Sequence, residues 1–174
     1  MHALIVGERR VGKSTLIHRV LEALDVSVCG FETKKEQELE DPVYGNPIYI
    51  YEAGQPHEQH EENCVGYCKD QKPKPNTEVF DRFAEKFQEF PGDHDMILMD
   101  EIGFLEKKSE AFCKGILSVL DGETPVIAAV KTKEIPFLET VRNHPNCRCF
   151  YITEENRDDL VGEVIVFLKE QLNR

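Results

Sequence analysis

Gly7-Glu8-Arg9-Arg10-Val11-Gly12-Lys13-Ser14 follows directly on the apolar run Ala3-Leu4-Ile5-Val6. It leads into Thr15-Leu16-Ile17-His18-Arg19-Val20-Leu21, where apolar residues recur at helical spacing. A glycine, four residues, then Gly-Lys-Ser between a strand and a helix is the spacing of a phosphate-binding P-loop. The glycines let successive backbone N–H groups approach a polyphosphate. The helix that starts near Lys13 adds unpaired N–H groups and about half a positive charge at its N-terminus. On this reading Gly7, Glu8, Arg9, Arg10, Val11, Gly12, Lys13, Ser14 and Thr15 surround the phosphates. Lys13 reaches the β- and γ-phosphates, and the Ser14 hydroxyl ligates Mg²⁺.

Beyond the loop, short apolar runs alternate with amphipathic helical patterns, as in a parallel α/β sheet. Strands are predicted near 3–6, 26–30, 96–100, 126–130 and 148–152, and helices near 13–24, 78–89, 110–120, 137–143 and 159–172. Phe80, Phe83 and Phe87 form one helical stripe suited to core packing, and Ser109 stands where an N-cap precedes Phe112. Residues 36–76 break the alternation: they carry Pro42, Pro47, Pro56, Pro73 and Pro75, many charges, and one strand-like run, Ile48-Tyr49-Ile50-Tyr51. The expected architecture is α/β: a three-layer P-loop fold with a mainly parallel central sheet and a surface insertion after the second strand. Residues 1–174 read as a single domain, with 36–76 as a hairpin or loop excursion.

Met96-Ile97-Leu98-Met99-Asp100-Glu101 puts two carboxylates at the end of a buried strand. Beside a P-loop, this pattern aims Asp100 at the Mg²⁺ ion. Glu101 is the candidate to orient and deprotonate an attacking water, a task that requires hydrogen-bond reach. The expected catalytic pair is Glu101 and Lys13; the expected metal ligands are Ser14 and Asp100.

Four blocks together resemble the small nucleoside-triphosphatase family described from thermophiles, which includes the vertebrate cancer-related nucleoside-triphosphatase. They are the P-loop, Gly30-Phe31-Glu32-Thr33, Asp100-Glu101-Ile102-Gly103-Phe104-Leu105-Glu106, and Asn156-Arg157-Asp158. The resemblance implies a Mg²⁺-dependent hydrolase that splits several nucleoside triphosphates to diphosphate and phosphate with loose base selectivity. It implies that Thr33, at the end of the second strand, lies near the phosphates. Asn156 and Arg157 would lie near base or ribose; the alternatives are a helix cap for Asn156 and a surface ion pair for Arg157. Arg9-Arg10 stand where the family usually carries Pro-Gly: losing that glycine would oppose a tight loop, and the arginines could contact phosphate, steady transition-state charge as an arginine finger does, or stand solvated in the loop.

The remaining composition narrows the partners to nucleoside triphosphates, with no protein partner identifiable. With 21 Lys plus Arg against 33 Asp plus Glu, the formal charge is −12, which disfavours nucleic acid and anionic lipid. No apolar run approaches the roughly 20 residues of a membrane span. The first strand begins at once, so no signal peptide is expected. Cys29, Cys147 and Cys149 lie in strand-like runs and Cys113 in a helix-like one, which suits a reducing cytoplasm better than a disulfide scaffold. His57, His60, Cys64 and Cys68 could together hold Zn²⁺. That set would suit a nucleotide-gated metal carrier or maturation protein. A small-molecule or nucleotide kinase shares the phosphate cradle, but residues 36–76 are acidic and contain no arginine for a lid. Val130-Lys131-Thr132-Lys133 lacks the Asn and Asp of a guanine-recognition motif, which points to loose base choice.

Overall fold

The first strand, β1 (His2–Gly7), is buried along its whole length. Leu4 and Val6 pack into one core, and Ala3 and Ile5 into another on the opposite face. A strand covered on both faces must be apolar on both, hence the unbroken run in the sequence. The computed structural model describes every residue except Gln71, Pro91, Phe104 and Arg174.

In chain order β1 is followed by α1 (Lys13–Leu24), β2 (Val28–Lys35), β3 (Asn46–Glu52), β4 (Cys64–Lys69), β5 (Lys72–Pro75) and α2 (Thr77–Ala84). Then come β6 (Met96–Ile102), α3 (Glu110–Leu120), β7 (Val126–Lys131), α4 (Pro136–Arg142), β8 (Cys147–Tyr151) and α5 (Arg157–Leu172). The strands form one sheet in the order β5-β4-β3-β2-β6-β7-β1-β8. From β2 to β8 the neighbours are parallel. From β2 out to β5 they are antiparallel.

Two helical layers cover the sheet. Leu16, Ile17 and Val20 of α1 share a core with Leu160, Val164 and Leu168 of α5. On the other face Val79, Phe80 and Phe83 of α2 join Phe112 and Ile116 of α3 and Leu138 of α4. Phe112 is the hub there, with ring centroids 5.0 Å from both Phe80 and Phe87. Ser109 caps α3 by accepting the Phe112 N–H at 3.1 Å.

The expected three-layer, mainly parallel α/β fold is what the chain adopts, and two features gain detail. β2 continues to Lys35 instead of stopping near residue 30, because Phe31 to Lys35 pair with Glu52 to Ile48 of β3. Thr33 therefore lies inside β2 rather than at its end. The insertion expected at residues 36–76 is a hairpin region whose strands β3, β4 and β5 continue the sheet. β4 and β5 escaped the sequence reading because antiparallel edge strands need little apolar patterning. The Lys-Pro-Lys-Pro run of β5 suits an outermost strand, where prolines and lysines discourage further pairing.

Gly30 marks the junction between the two parts. Its φ is 118°, and a Cβ there would lie 2.0 Å from the Leu98 carbonyl oxygen. Among the described residues no helix is long and apolar enough to cross a membrane.

Candidate active site

The loop between β1 and α1 turns on two left-handed residues, Arg10 (φ 64°) and Gly12 (φ 108°). Arg10 thus adopts the conformation for which glycine is better suited, at a cost of about 1–2 kcal/mol. The loop forms all the same: the Leu16 N–H already bonds the Gly12 carbonyl at 2.9 Å, and no side chain caps α1. The first N–H groups of α1 are therefore available to an anion. Lys13 is buried and folds back over the loop, donating to the carbonyls of Gly7 (3.0 Å) and Glu8 (2.8 Å). Val11 is buried beneath the loop, whereas Arg9, Ser14 and Thr15 are exposed. The Glu8 carboxylate accepts the Thr132 hydroxyl, which ties the loop to the residue after β7.

β6 brings the two predicted carboxylates to this loop. Between Met99 and Ile102 its register against β7 slips, which leaves Asp100 and Glu101 on a bulge. Bulges re-aim side chains beside functional sites. Asp100 turns towards α1 and accepts the Ser14 hydroxyl at 3.1 Å. Burial pushes its carboxyl above the usual range; the Ser14 bond opposes this, and neighbouring Glu101 and Glu32 add to it. Glu101 lies between two ammonium groups, Lys13 Nζ at 3.1 Å and Lys131 Nζ at 2.9 Å. Lys131 ends β7 directly opposite Gly7 in the parallel register. Arg142 fixes that strand end by donating to the Lys131 carbonyl at 2.8 Å. Glu106 is buried behind Glu101, accepts the Gly103 N–H, and is pushed up to about 7 by burial.

These groups open onto a cleft of about 360 Å³ lined by Gly7, Glu8, Arg9, Thr33, Glu101 and Lys131, among others. A cleft at the carboxyl ends of parallel strands is where α/β sheets bind ligands. A dication suits the oxygen donors present. Ser14 and Asp100 are in contact, Asp100 is buried, and Glu32 Oε1 beside it is buried with no hydrogen bond.

The other expected residues divide. Thr33 lines the cleft. Arg157 opens α5 beside the P-loop, its Cδ 3.8 Å from where a Gly12 Cβ would stand. Asp158, an expected partner for Arg157, pairs with Arg19 at 2.7 Å. Asn156 occupies the N-cap position of α5 but makes no cap bond. Its side chain instead braces the preceding loop, accepting from Thr153 N and donating to the Tyr151 carbonyl. Phe104, part of the Asp-Glu-Ile-Gly block, lies outside the described residues. No three of His57, His60, Cys64 and Cys68 gather ligand atoms as a metal would require, among the described residues. His57 turns instead to Glu32, at 3.0 Å, and stacks on Tyr51.

Lys131 and Glu32 gain places in the site that the sequence alone does not assign. Lys131 was visible only as part of a failed guanine motif; its place opposite Gly7 depends on strand order. Glu32 lies within the Gly30-Phe31-Glu32-Thr33 block. Its signal is a carboxylate in a strand run whose alternate positions, Cys29 and Phe31, face the aromatic core.

A phosphate loop on β1–α1, with Asp-Glu at the end of a nearby parallel strand, defines a P-loop nucleoside triphosphatase. Comparison with known proteins gives the family: the chain belongs to the NTPase family, whose model matches residues 2–165. It is 31% identical to the nucleoside-triphosphatase THEP1 of Thermotoga maritima, over 97% of this chain and 96% of that protein. It is 24% identical to the mouse (Mus musculus) cancer-related nucleoside-triphosphatase homolog, over 97% of this chain and 96% of that one. The crystal structure of THEP1 from Aquifex aeolicus shares the fold, with a TM-score of 0.69 at 24% identity over 97% of this chain and 99% of that one. The solution structure of a human cancer-related nucleoside triphosphatase shares it too, with a TM-score of 0.68 at 22% identity over 97% of each chain.

Proposed function

We propose that this NTPase is Mg²⁺-dependent and releases phosphate from ATP, GTP and other nucleoside triphosphates with loose base choice, with Glu101 activating the water. The observation that carries this reading is the Glu101 carboxylate, held 3.1 Å from the P-loop lysine and 2.9 Å from Lys131 at the cleft. A triphosphate in the loop would draw Lys13 away from the Gly7 and Glu8 carbonyls and from Glu101. Lys131 would then keep Glu101 in place while Oε2 turned to a water. The water oxygen bonds the γ-phosphorus as the bond to the β–γ bridging oxygen breaks, and the proton passes to Glu101. Ser14 and Asp100 would hold Mg²⁺, which would supply positive charge to offset the charge developing on the phosphates. The N–H groups of residues 7–15 hold the phosphates, and Thr33 borders them. Arg157, next to the P-loop, is suited to the base or ribose, with Asn156 shaping the loop beneath it. Loose base choice follows from Val130-Lys131-Thr132-Lys133, where Lys131 is engaged with Glu101 and no Asn-Lys-x-Asp set is present.

The test is phosphate release from ATP, GTP, CTP and UTP with Mg²⁺ for wild type, Lys13→Ala and Glu101→Gln. Release from several triphosphates by wild type, lost in both variants while Glu101→Gln still binds nucleotide, supports the assignment. Triphosphate loss that requires an acceptor and yields no free phosphate would make the protein a kinase instead.

A further inference from the structure

Glu32 and Asp100 stand side by side: they are register partners on the parallel strands β2 and β6. Both side chains are buried, the Glu32 side chain to all but 8% of its surface. Two carboxylates so placed repel each other and lose hydration, a loss that needs a compensating cation or hydrogen bonds. Helix α1 presents Ser14 and His18 to this pair, four residues apart and so on one helical face. One ligand atom each from His18, Glu32 and Asp100 lie mutually within 4.8 Å.

The two oxygens of Glu32 are treated differently. Oε2 is 3.0 Å from His57 Nε2, and the His57 ring is fixed by stacking on Tyr51 at 4.2 Å. That contact orients the carboxylate from behind, as outer partners of metal ligands do. Oε1 is buried without a hydrogen bond. Its nearest nitrogen neighbours are Lys34 Nζ at 3.4 Å and His18 Nε2 at 3.7 Å, on side chains 41% and 54% exposed.

We propose that His18, Glu32 and Asp100 form a site for a divalent transition-metal ion of the Mn²⁺-to-Zn²⁺ class, loaded without nucleotide. One imidazole and two carboxylates suit such ions. Mg²⁺ prefers an all-oxygen octahedron and gives up its waters reluctantly, so it competes poorly for a set that includes a nitrogen. Asp100 belongs both to this set and to the proposed Mg²⁺ pair, so the two ions compete for it. The site itself does not depend on hydrolysis.

The probe is Mn²⁺ alone, titrated into nucleotide-free protein with the free ion followed by electron paramagnetic resonance. One ion per chain is expected, undisplaced by an equal concentration of Mg²⁺. Glu32→Gln and His18→Ala should each weaken binding at least about tenfold, the range seen even for outer partners of metal sites, with circular dichroism unchanged. His18→Ala is the safer variant, since that side chain lies on the surface of α1. The proposal falls if wild type binds no Mn²⁺, which would make Lys34 the counter-ion of Glu32. It also falls if both variants bind like wild type, or if Mg²⁺ displaces Mn²⁺ at parity. Phosphate release with Mg²⁺-ATP, measured on the same samples, separates the two readings. Release without Mn²⁺ binding overturns only the metal site, and Mn²⁺ binding without release overturns only the hydrolase assignment.

Discussion

The two halves of the sheet do different work. The parallel half, β2-β6-β7-β1-β8, brings the P-loop, Asp100, Glu101 and Lys131 to one set of strand ends. The antiparallel ribbon β3-β4-β5 supplies wall residues of the cleft, Ile48, Cys68 and Pro73, and sends His57 back to Glu32. Parallel strands all point their carboxyl ends the same way, so residues distant in sequence converge on one edge. An antiparallel ribbon alternates direction and is better suited to building a wall.

If chemistry resides in the parallel half, its largest single loss should come from Glu101. We expect Glu101→Gln to lower kcat by about 10²–10⁴-fold, the usual range for a lost general base, with nucleotide affinity preserved. Phosphate-release kinetics beside equilibrium nucleotide binding would check this. A loss carried by KM alone would reassign Glu101 to binding.

Glu106 sharpens the comparison through stability rather than rate. Burial raises its carboxyl from an ordinary 4.5 to about 7 in the folded chain. Between those values the unfolded chain has released its proton while the folded chain retains it, so stability falls as pH rises. At about 1.4 kcal/mol per pH unit, the decline is on the order of 3 kcal/mol and levels off above pH 7. Glu106→Gln keeps an acceptor for Gly103 N–H and removes the ionisation. Its urea midpoint should therefore lose this slope between pH 5 and 7. An unchanged slope would locate the titration elsewhere.

The same division explains what could be read from the sequence. The P-loop is a local feature: Gly7, Gly12, Lys13 and Ser14 are recognisable from their spacing alone. Helices α1 and α3 follow from apolar spacing and, for α3, from the Ser109 cap. Asp100 and Glu101 are legible because an apolar strand run ends on them. The ribbon was only partly legible: Ile48 to Tyr51 carries a strand pattern, whereas Cys64–Lys69 and Lys72–Pro75 become strands through partners elsewhere in the chain. Lys131 and Glu32 were hidden for the same reason. What they do depends on lying opposite Gly7 and Asp100, and register across a sheet is a non-local property.

Arg10 tests how much strain the parallel half tolerates at the P-loop. Relieving a left-handed non-glycine residue is worth about 1–2 kcal/mol. The greater freedom of glycine in the unfolded chain returns part of that, some 0.4–1 kcal/mol. Arg10→Gly should therefore stabilise by about 1 kcal/mol and raise Tm by about 2–4 °C in a chain of this size. Calorimetry without nucleotide reads the strain, and repeating it with Mg²⁺-ATP reads whether the guanidinium contacts phosphate. A lower Tm without nucleotide would mean that the Arg10 side chain holds the loop together.

The smallest effect is expected where the ribbon meets the turn after α2. Lys86 Nζ lies 2.5 Å from Glu52 Oε1 at the end of β3, with both side chains well exposed. In water such a pair gains little over its hydrated partners and gives up side-chain freedom, so its contribution stays below about 1 kcal/mol. The ribbon is held instead from beneath: Ile48, Ile50 and Val65 are buried in the same core as Phe83 and Phe112. Lys86→Ala should accordingly cost less than about 1 kcal/mol in urea unfolding, less still at high salt, with phosphate release unaffected. A larger, salt-sensitive loss would mean that surface charge rather than the shared core fastens the ribbon to the parallel half.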